Sequence, residues 1–131
     1  MTYNVNGRPL ETIDIRRLEE SMIEETLAKI EARLGKTAAL KDESRAELLG
    51  LLATLKTEIS ALSKTHSEQA QSITAFTEVS THEATRQERD PQLLRLSLEG
   101  LSTSVQGFES SHRKLVEIVN AISLMLSNSG V

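Results

Sequence analysis

The sequence predicts an all-α protein, built as an antiparallel coiled-coil helical hairpin with a third helix packed against one end. Apolar residues recur at alternating spacings of four and three, which is typical of helices that pair along a seam. Only two Pro and six Gly interrupt the chain, so long helices are possible. Aromatic residues make up only 2%, so the predicted core is aliphatic.

The first elements are an irregular N-terminal arm over residues 1–9 and a helix over about residues 10–34. The arm has no helical period and contains an Asn6-Gly7 turn signal. The helical domain is expected to span residues 10–131. The seam of helix 1 is formed by Ile23, Leu27, Ile30 and Leu34.

Helix 2 is predicted over about residues 42–82, with a capping box at Ser44 and Glu47 near its start. Polar residues enrich the stretch 63–90 and lower its helix propensity, so a frayed linker is the alternative there. We favour a continued helix because the apolar phase is kept. The seam runs through Leu48, Leu52, Leu55, Ile59, Leu62, His66, Gln69, Ile73 and Phe76.

Helix 3 is predicted over about residues 91–127 and carries the strongest pattern. Asp90 precedes a proline, which biases it away from helix and indicates a break before residue 91. The seam that follows has no fault over more than four heptads. It contains Leu94, Leu98, Leu101, Val105, Phe108, His112, Leu115, Val119, Ile122 and Leu126.

One end of this hairpin is predicted to consist of helices 2 and 3 alone, because helix 1 covers only the other end. A long apolar strip is unusual on a monomer surface, so the sequence predicts self-association, most simply as a two-fold dimer. Another protein is the alternative partner. The predicted interface residues are Ile73, Phe76, Leu101, Val105 and Phe108.

Composition argues against several classes of protein. The net charge is −4 and no basic stripe is present, so we expect no nucleic-acid partner. Cys is absent, which excludes disulfides and cysteine-ligated metals. No stretch approaches 18 apolar residues and the N-terminus lacks a signal-peptide pattern, so we expect no membrane association and a cytoplasmic location.

His66 and His112 are the residues whose chemistry stands out, because both occupy seam positions. The structural interpretation is a polar residue that fixes helix register. The alternative is a metal-binding or small-ligand-binding bundle that uses both histidines. A metal site needs three or four converging ligands, and the sequence lacks the pair of Glu-x-x-His motifs that is typical of di-iron bundles. Ser110 and Ser111 beside His112 lack any oxyanion-hole element, so we expect no enzymatic activity and no cofactor.

Two segments give a family resemblance. Residues 27–62, "LAKIEARLGKTAALKDESRAELLGLLATLKTEISAL", resemble the first half of the DUF4404 family, and residues 94–131, with "FESSH" and "SGV", resemble its second half. The resemblance implies a small bacterial helical protein without an established activity. This chain departs from the family at Arg113, where proline usually follows the histidine, and in the longer stretch 65–90. The function expected from the sequence is therefore a non-enzymatic structural or protein-interaction bundle.

Overall fold

Five helices make up the part of the chain that the computed structural model describes, residues 12–129, with side chains described from Ile15 onward. The predicted arm over residues 1–9 and the two C-terminal residues lie outside this range. The helices are α1 (Thr12–Lys36), α2 (Asp42–Ser63), α3 (Ser67–Thr85), α4 (Pro91–Ser104) and α5 (Arg113–Asn128). The predicted all-helical bundle is confirmed.

The predicted helix 2 is divided into α2 and α3, so the continuous helix over 42–82 is wrong. Residues 64–66 form a tight turn in which the backbone N–H groups of Thr65 and His66 both donate to the Leu62 carbonyl. His66 has φ −136° and ψ 63°, outside the helical region. The polar stretch Lys64–His66 can face solvent in a turn, and folding back there lets the apolar faces of both helices be buried.

The predicted helix 3 is also divided, into α4 and α5, and the continuous helix over 91–127 is wrong. Gly107 has φ +93°, a conformation that glycine adopts at little cost and other residues avoid. Its N–H donates to the Glu109 carboxylate, at 2.8 Å between nitrogen and oxygen. Helices of 14 and 16 residues therefore replace a single long coiled-coil strand.

The helices alternate in direction, and each contacts the next along the chain. The C-terminal parts of α1, α3 and α5 meet the N-terminal part of α2 around one small interior gap. In that arrangement α1, α3 and α5 run one way and α2 and α4 the other. The predicted antiparallel packing is thus present, but between shorter helices.

Helix α3 is the centre of the bundle, because it contacts all four other helices. Small and hydroxyl-bearing residues fill its buried faces, which lets the neighbouring backbones approach. Three of its threonine hydroxyls illustrate how the polar groups are satisfied: Thr74, Thr77 and Thr81 each donate to the carbonyl four residues earlier, at 2.8 Å. The alternative of a frayed linker over 63–90 is therefore wrong for residues 67–85.

The first two helices are joined by a connector that Arg45 holds in place. Its guanidinium donates to the carbonyls of Leu34, Thr37 and Leu40 and pairs with Asp42. These bonds satisfy carbonyls at the end of α1 and in the connector. The predicted capping box at Ser44 is absent, since α2 already begins at Asp42 and its N-cap makes no side-chain bond.

Candidate functional site

An aromatic cluster lies at one end of the bundle, where the α2–α3 and α4–α5 turns meet. The rings of His66, Phe108 and His112 pack edge to face. Their centroids are 5.5 Å apart for His66 and Phe108, 5.2 Å for Phe108 and His112, and 6.0 Å for the two histidines. The structure therefore brings together the two histidines that the sequence singled out.

The two histidines occupy equivalent backbone positions. Each is the residue before a helix, His66 before α3 and His112 before α5, with φ −136° and ψ 63° in one and φ −137° and ψ 57° in the other. A hydroxyl residue precedes each, and its oxygen lies near the ring: Thr65 Oγ1 is 2.8 Å from His66 Nδ1, and Ser111 Oγ is 3.0 Å from His112 Nδ1. The same contact, between a hydroxyl oxygen and Nδ1, thus orients both imidazole rings.

The third histidine is far from this cluster. His82 lies 16 residues after His66 in α3, which corresponds to about 24 Å along the helix axis. Its side chain is 52% exposed and lies 3.8 Å from Glu83. Across the described residues, no group of three or more His, Cys, Asp or Glu side chains is placed to hold a metal ion.

A second candidate site is the outer face of α3 and α4, which is apolar and exposed. Four large side chains on this face are between 38% and 48% exposed: Phe76, Val79, Leu93 and Leu96. The Phe76 ring covers Gly100, where a Cβ atom would collide with it, so it fixes the pairing of the two helices. Val79 lies one turn after Phe76 in α3, and Leu96 lies one turn before Gly100 in α4. Because the two helices are antiparallel, this spacing makes Val79 and Leu96 neighbours. We refer to these four residues as the α3–α4 face.

The charged groups near the α3–α4 face already have partners within the chain. Arg86 Nη1 donates to Glu83 at 2.9 Å, and this hydrogen bond raises the pKa of Arg86 above its ordinary value. Arg95 pairs with Glu99 at 3.4 Å. Arg89 and Asp90, one turn before Leu93, bond to the Ser129 carbonyl and to the N–H groups at the start of α4. Covering this face would therefore bury charged groups that already have partners.

A third exposed apolar feature is a stripe on the first turns of α1. Ile15, Leu18 and Met22 are 51–64% exposed, each more than any residue of the α3–α4 face. Carboxylates border the stripe on both sides, at Glu19 and Glu25. Glu19 accepts a hydrogen bond from Ser67 at 2.5 Å, which places the stripe beside the start of α3.

The predicted interface residues separate into two groups. Ile73, Leu101 and Val105 are at most 3% exposed within one chain, so the prediction that they stay half exposed is wrong. The reason is the two additional turns, which fold α4 and α5 back over α2 and α3 and cover these side chains. Phe76 and Phe108 keep accessible surface, the first on the α3–α4 face and the second in the aromatic cluster.

Val79, Leu93 and Leu96 were not predicted as surface residues of interest from the sequence, because they lie off the heptad seam. A signal for the last two was present in the dense leucine run "LLRLSL" at residues 93–98, which has more apolar residues than one seam can bury. None of the helices in the described range is long and apolar enough to cross a membrane.

Comparisons with family models, with curated proteins and with solved structures find no match to this chain. The resemblance to the DUF4404 family therefore stays a prediction, neither supported nor contradicted. The features of the chain that bear on its function are the aromatic cluster and the two exposed apolar surfaces.

Proposed function

We propose that this chain is a non-enzymatic helical interaction protein that self-associates as a two-fold dimer through the α3–α4 face. The observation that carries the proposal is the exposure of four large apolar side chains on adjacent turns of two paired helices. Contiguous apolar surface of this kind is typical of protein–protein interfaces. Phe76, seated on Gly100, supplies the aromatic anchor that such interfaces commonly contain.

A second copy of the chain is the occupant that the charges favour. In a two-fold dimer the same patch meets itself, so an unpaired charge at its border would face its own copy. Charged residues at the borders of the α3–α4 face have partners within the chain, as in the Glu83–Arg86 and Arg95–Glu99 pairs. Self-pairing therefore buries apolar surface while opposing few unpaired like charges.

The α1 stripe is a poorer self-association surface, although its side chains are more exposed. A second copy packed on it by a two-fold axis would bring the exposed carboxylate of Glu25 towards its own copy. Like charges at an interface weaken the complex and suppress that pairing. Of the two surfaces, the α3–α4 face is therefore the one that we propose for self-association.

A charge substitution on the α3–α4 face, with a control substitution on α5, tests the assignment of the dimer contact. Leu96→Glu adds a carboxylate at the centre of the α3–α4 face. In the dimer, the carboxylates of the two chains would face each other. Leu124→Glu is the matched control, because Leu124 is also an exposed leucine, 63% exposed, but lies on α5. The measurement is the absolute mass by light scattering on a sizing column, with helical content checked by circular dichroism.

We expect the wild type and Leu124→Glu to have a mass near 29 kDa, twice the 14.5 kDa of one chain. Leu96→Glu is expected near 14.5 kDa with unchanged helical content. A dimeric Leu96→Glu would rule out the α3–α4 face as the contact, and a monomeric Leu124→Glu would move the contact to α5.

A further inference from the structure

We propose that His66 and His112 together form a binding site for a divalent late transition-metal ion, with open coordination positions. The site lies at the end of the bundle, away from the α3–α4 face, and it does not depend on self-association. Its basis is the convergence of two imidazoles that begin different helices, at 6.0 Å between ring centroids.

The distance between the rings fits a shared ion. When two imidazole nitrogens bind one ion at about 2.0–2.1 Å, each ring centre lies roughly 3 Å from the metal, and the two centres lie roughly 4.5–6.5 Å apart. The observed separation of 6.0 Å falls within that range. A shared ion further requires both rings to turn so that their Nε2 atoms aim at one point.

The hydroxyl contacts leave the outer nitrogen of each ring available. Thr65 Oγ1 is 3.4 Å from the Leu62 carbonyl and donates its single hydrogen there. The same oxygen lies 2.8 Å from His66 Nδ1, so Nδ1 is engaged and Nε2 has no hydrogen-bond partner among the described residues. Ser111 Oγ likewise lies 3.0 Å from His112 Nδ1, which leaves Nε2 of that ring on the other side. Metal-binding histidines are commonly oriented in this way, by an acceptor on the nitrogen that does not bind the metal.

Solvent exposure and the local charges determine whether an ion can reach the two rings and which ions the site favours. His66 is exposed and His112 is half-buried, so an ion can reach both rings from solvent. The N-termini of α3 and α5 are positive ends of helix dipoles and oppose a cation, whereas Glu68 in the first turn of α3 partly offsets them. With two imidazoles as its protein ligands and water in the other positions, the site is suited to Ni²⁺, Cu²⁺ or Zn²⁺ rather than Mg²⁺ or Ca²⁺.

The test is titration of the full-length, tag-free chain with nickel chloride in a calorimeter. We expect one Ni²⁺ per chain, and an affinity that falls at least about tenfold in His66→Gln and in His112→Gln, because each leaves a single ligand. His82→Gln is the matched control and should bind as the wild type does. Circular dichroism on each variant checks that the fold is retained.

A second measurement, by NMR, needs only the wild-type chain. In the wild type, paramagnetic Ni²⁺ should broaden the imidazole NMR signals of His66 and His112 before those of His82. The proposal is overturned by no saturable binding up to about 1 mM nickel, by either variant binding as tightly as the wild type, or by broadening of His82 alone. The mass measured with and without a chelator separates this site from self-association, which we expect to persist without metal.

Discussion

The imidazole rings of His66 and His112 lie 6.0 Å apart, and each belongs to the residue that precedes a helix. Their proximity follows from two turns, one after α2 and one after α4, that end side by side. These turns convert a predicted two-helix hairpin into a bundle with α3 at its centre. A substitution in one of these turns is therefore the first test of the fold.

Gly107→Ala tests the turn after α4. Gly107 has φ +93°, which a residue with a Cβ adopts only with strain, so we expect a loss of about 1–2 kcal/mol in the free energy of unfolding. Gly50→Ala is the control, since Gly50 lies in α2 and nothing would contact its new Cβ. We expect that variant to gain about 0.5–1 kcal/mol from helix propensity. Urea denaturation measures both, and an unchanged Gly107→Ala would contradict the turn.

The helical positions and the core were largely predictable from the sequence, but the two turns were not. Leu62 and Ile73 are both fully buried, as their heptad positions require, although they lie on different helices. A seam pattern records which residues are buried, not whether the chain runs straight between them. Gly107 was the one local sign of the turn between α4 and α5. The turn was concealed because the heptad pattern continues without a fault through Val105, Phe108 and His112.

The polar composition of α3 was misleading for a related physical reason. Thr and Ser lower helix propensity in an exposed helix, where they compete for backbone bonds. In α3 the hydroxyls of Thr77 and Thr81 bond within the helix, and their small size lets four neighbours pack around it. The exposed position of Val79 was unpredictable in the same way, because exposure depends on which helices surround a face.

Arg45→Lys tests the connector between α1 and α2. The guanidinium bonds to the carbonyls of Leu34, Thr37 and Leu40, and an ammonium group cannot reach all three in that geometry. We expect a loss of about 2 kcal/mol in the free energy of unfolding. Arg95→Lys, in an exposed pair with Glu99, should change it by less than about 0.5 kcal/mol. Equal effects in the two variants would show that the Arg45 bonds contribute little.

Ser80→Ala tests the hydroxyl chemistry of the central helix. Ser80 is fully buried, and its Oγ has no hydrogen-bond partner among the described residues. Removing an unsatisfied buried hydroxyl should raise the free energy of unfolding by about 1 kcal/mol. Ser97→Ala is matched, because Ser97 is also buried in a helix but donates to the Leu94 carbonyl at 2.8 Å. Thermal melts should rank Ser80→Ala above Ser97→Ala, and the reverse order would mean that Ser80 makes a bond.

The measurement that tests the central claim most directly is the absolute mass of the wild-type chain in solution, by light scattering over a series of concentrations. Self-association through the α3–α4 face predicts a mass that rises with concentration to a plateau near 29 kDa, twice the 14.5 kDa of one chain. A mass that stays at 14.5 kDa at every concentration would contradict it.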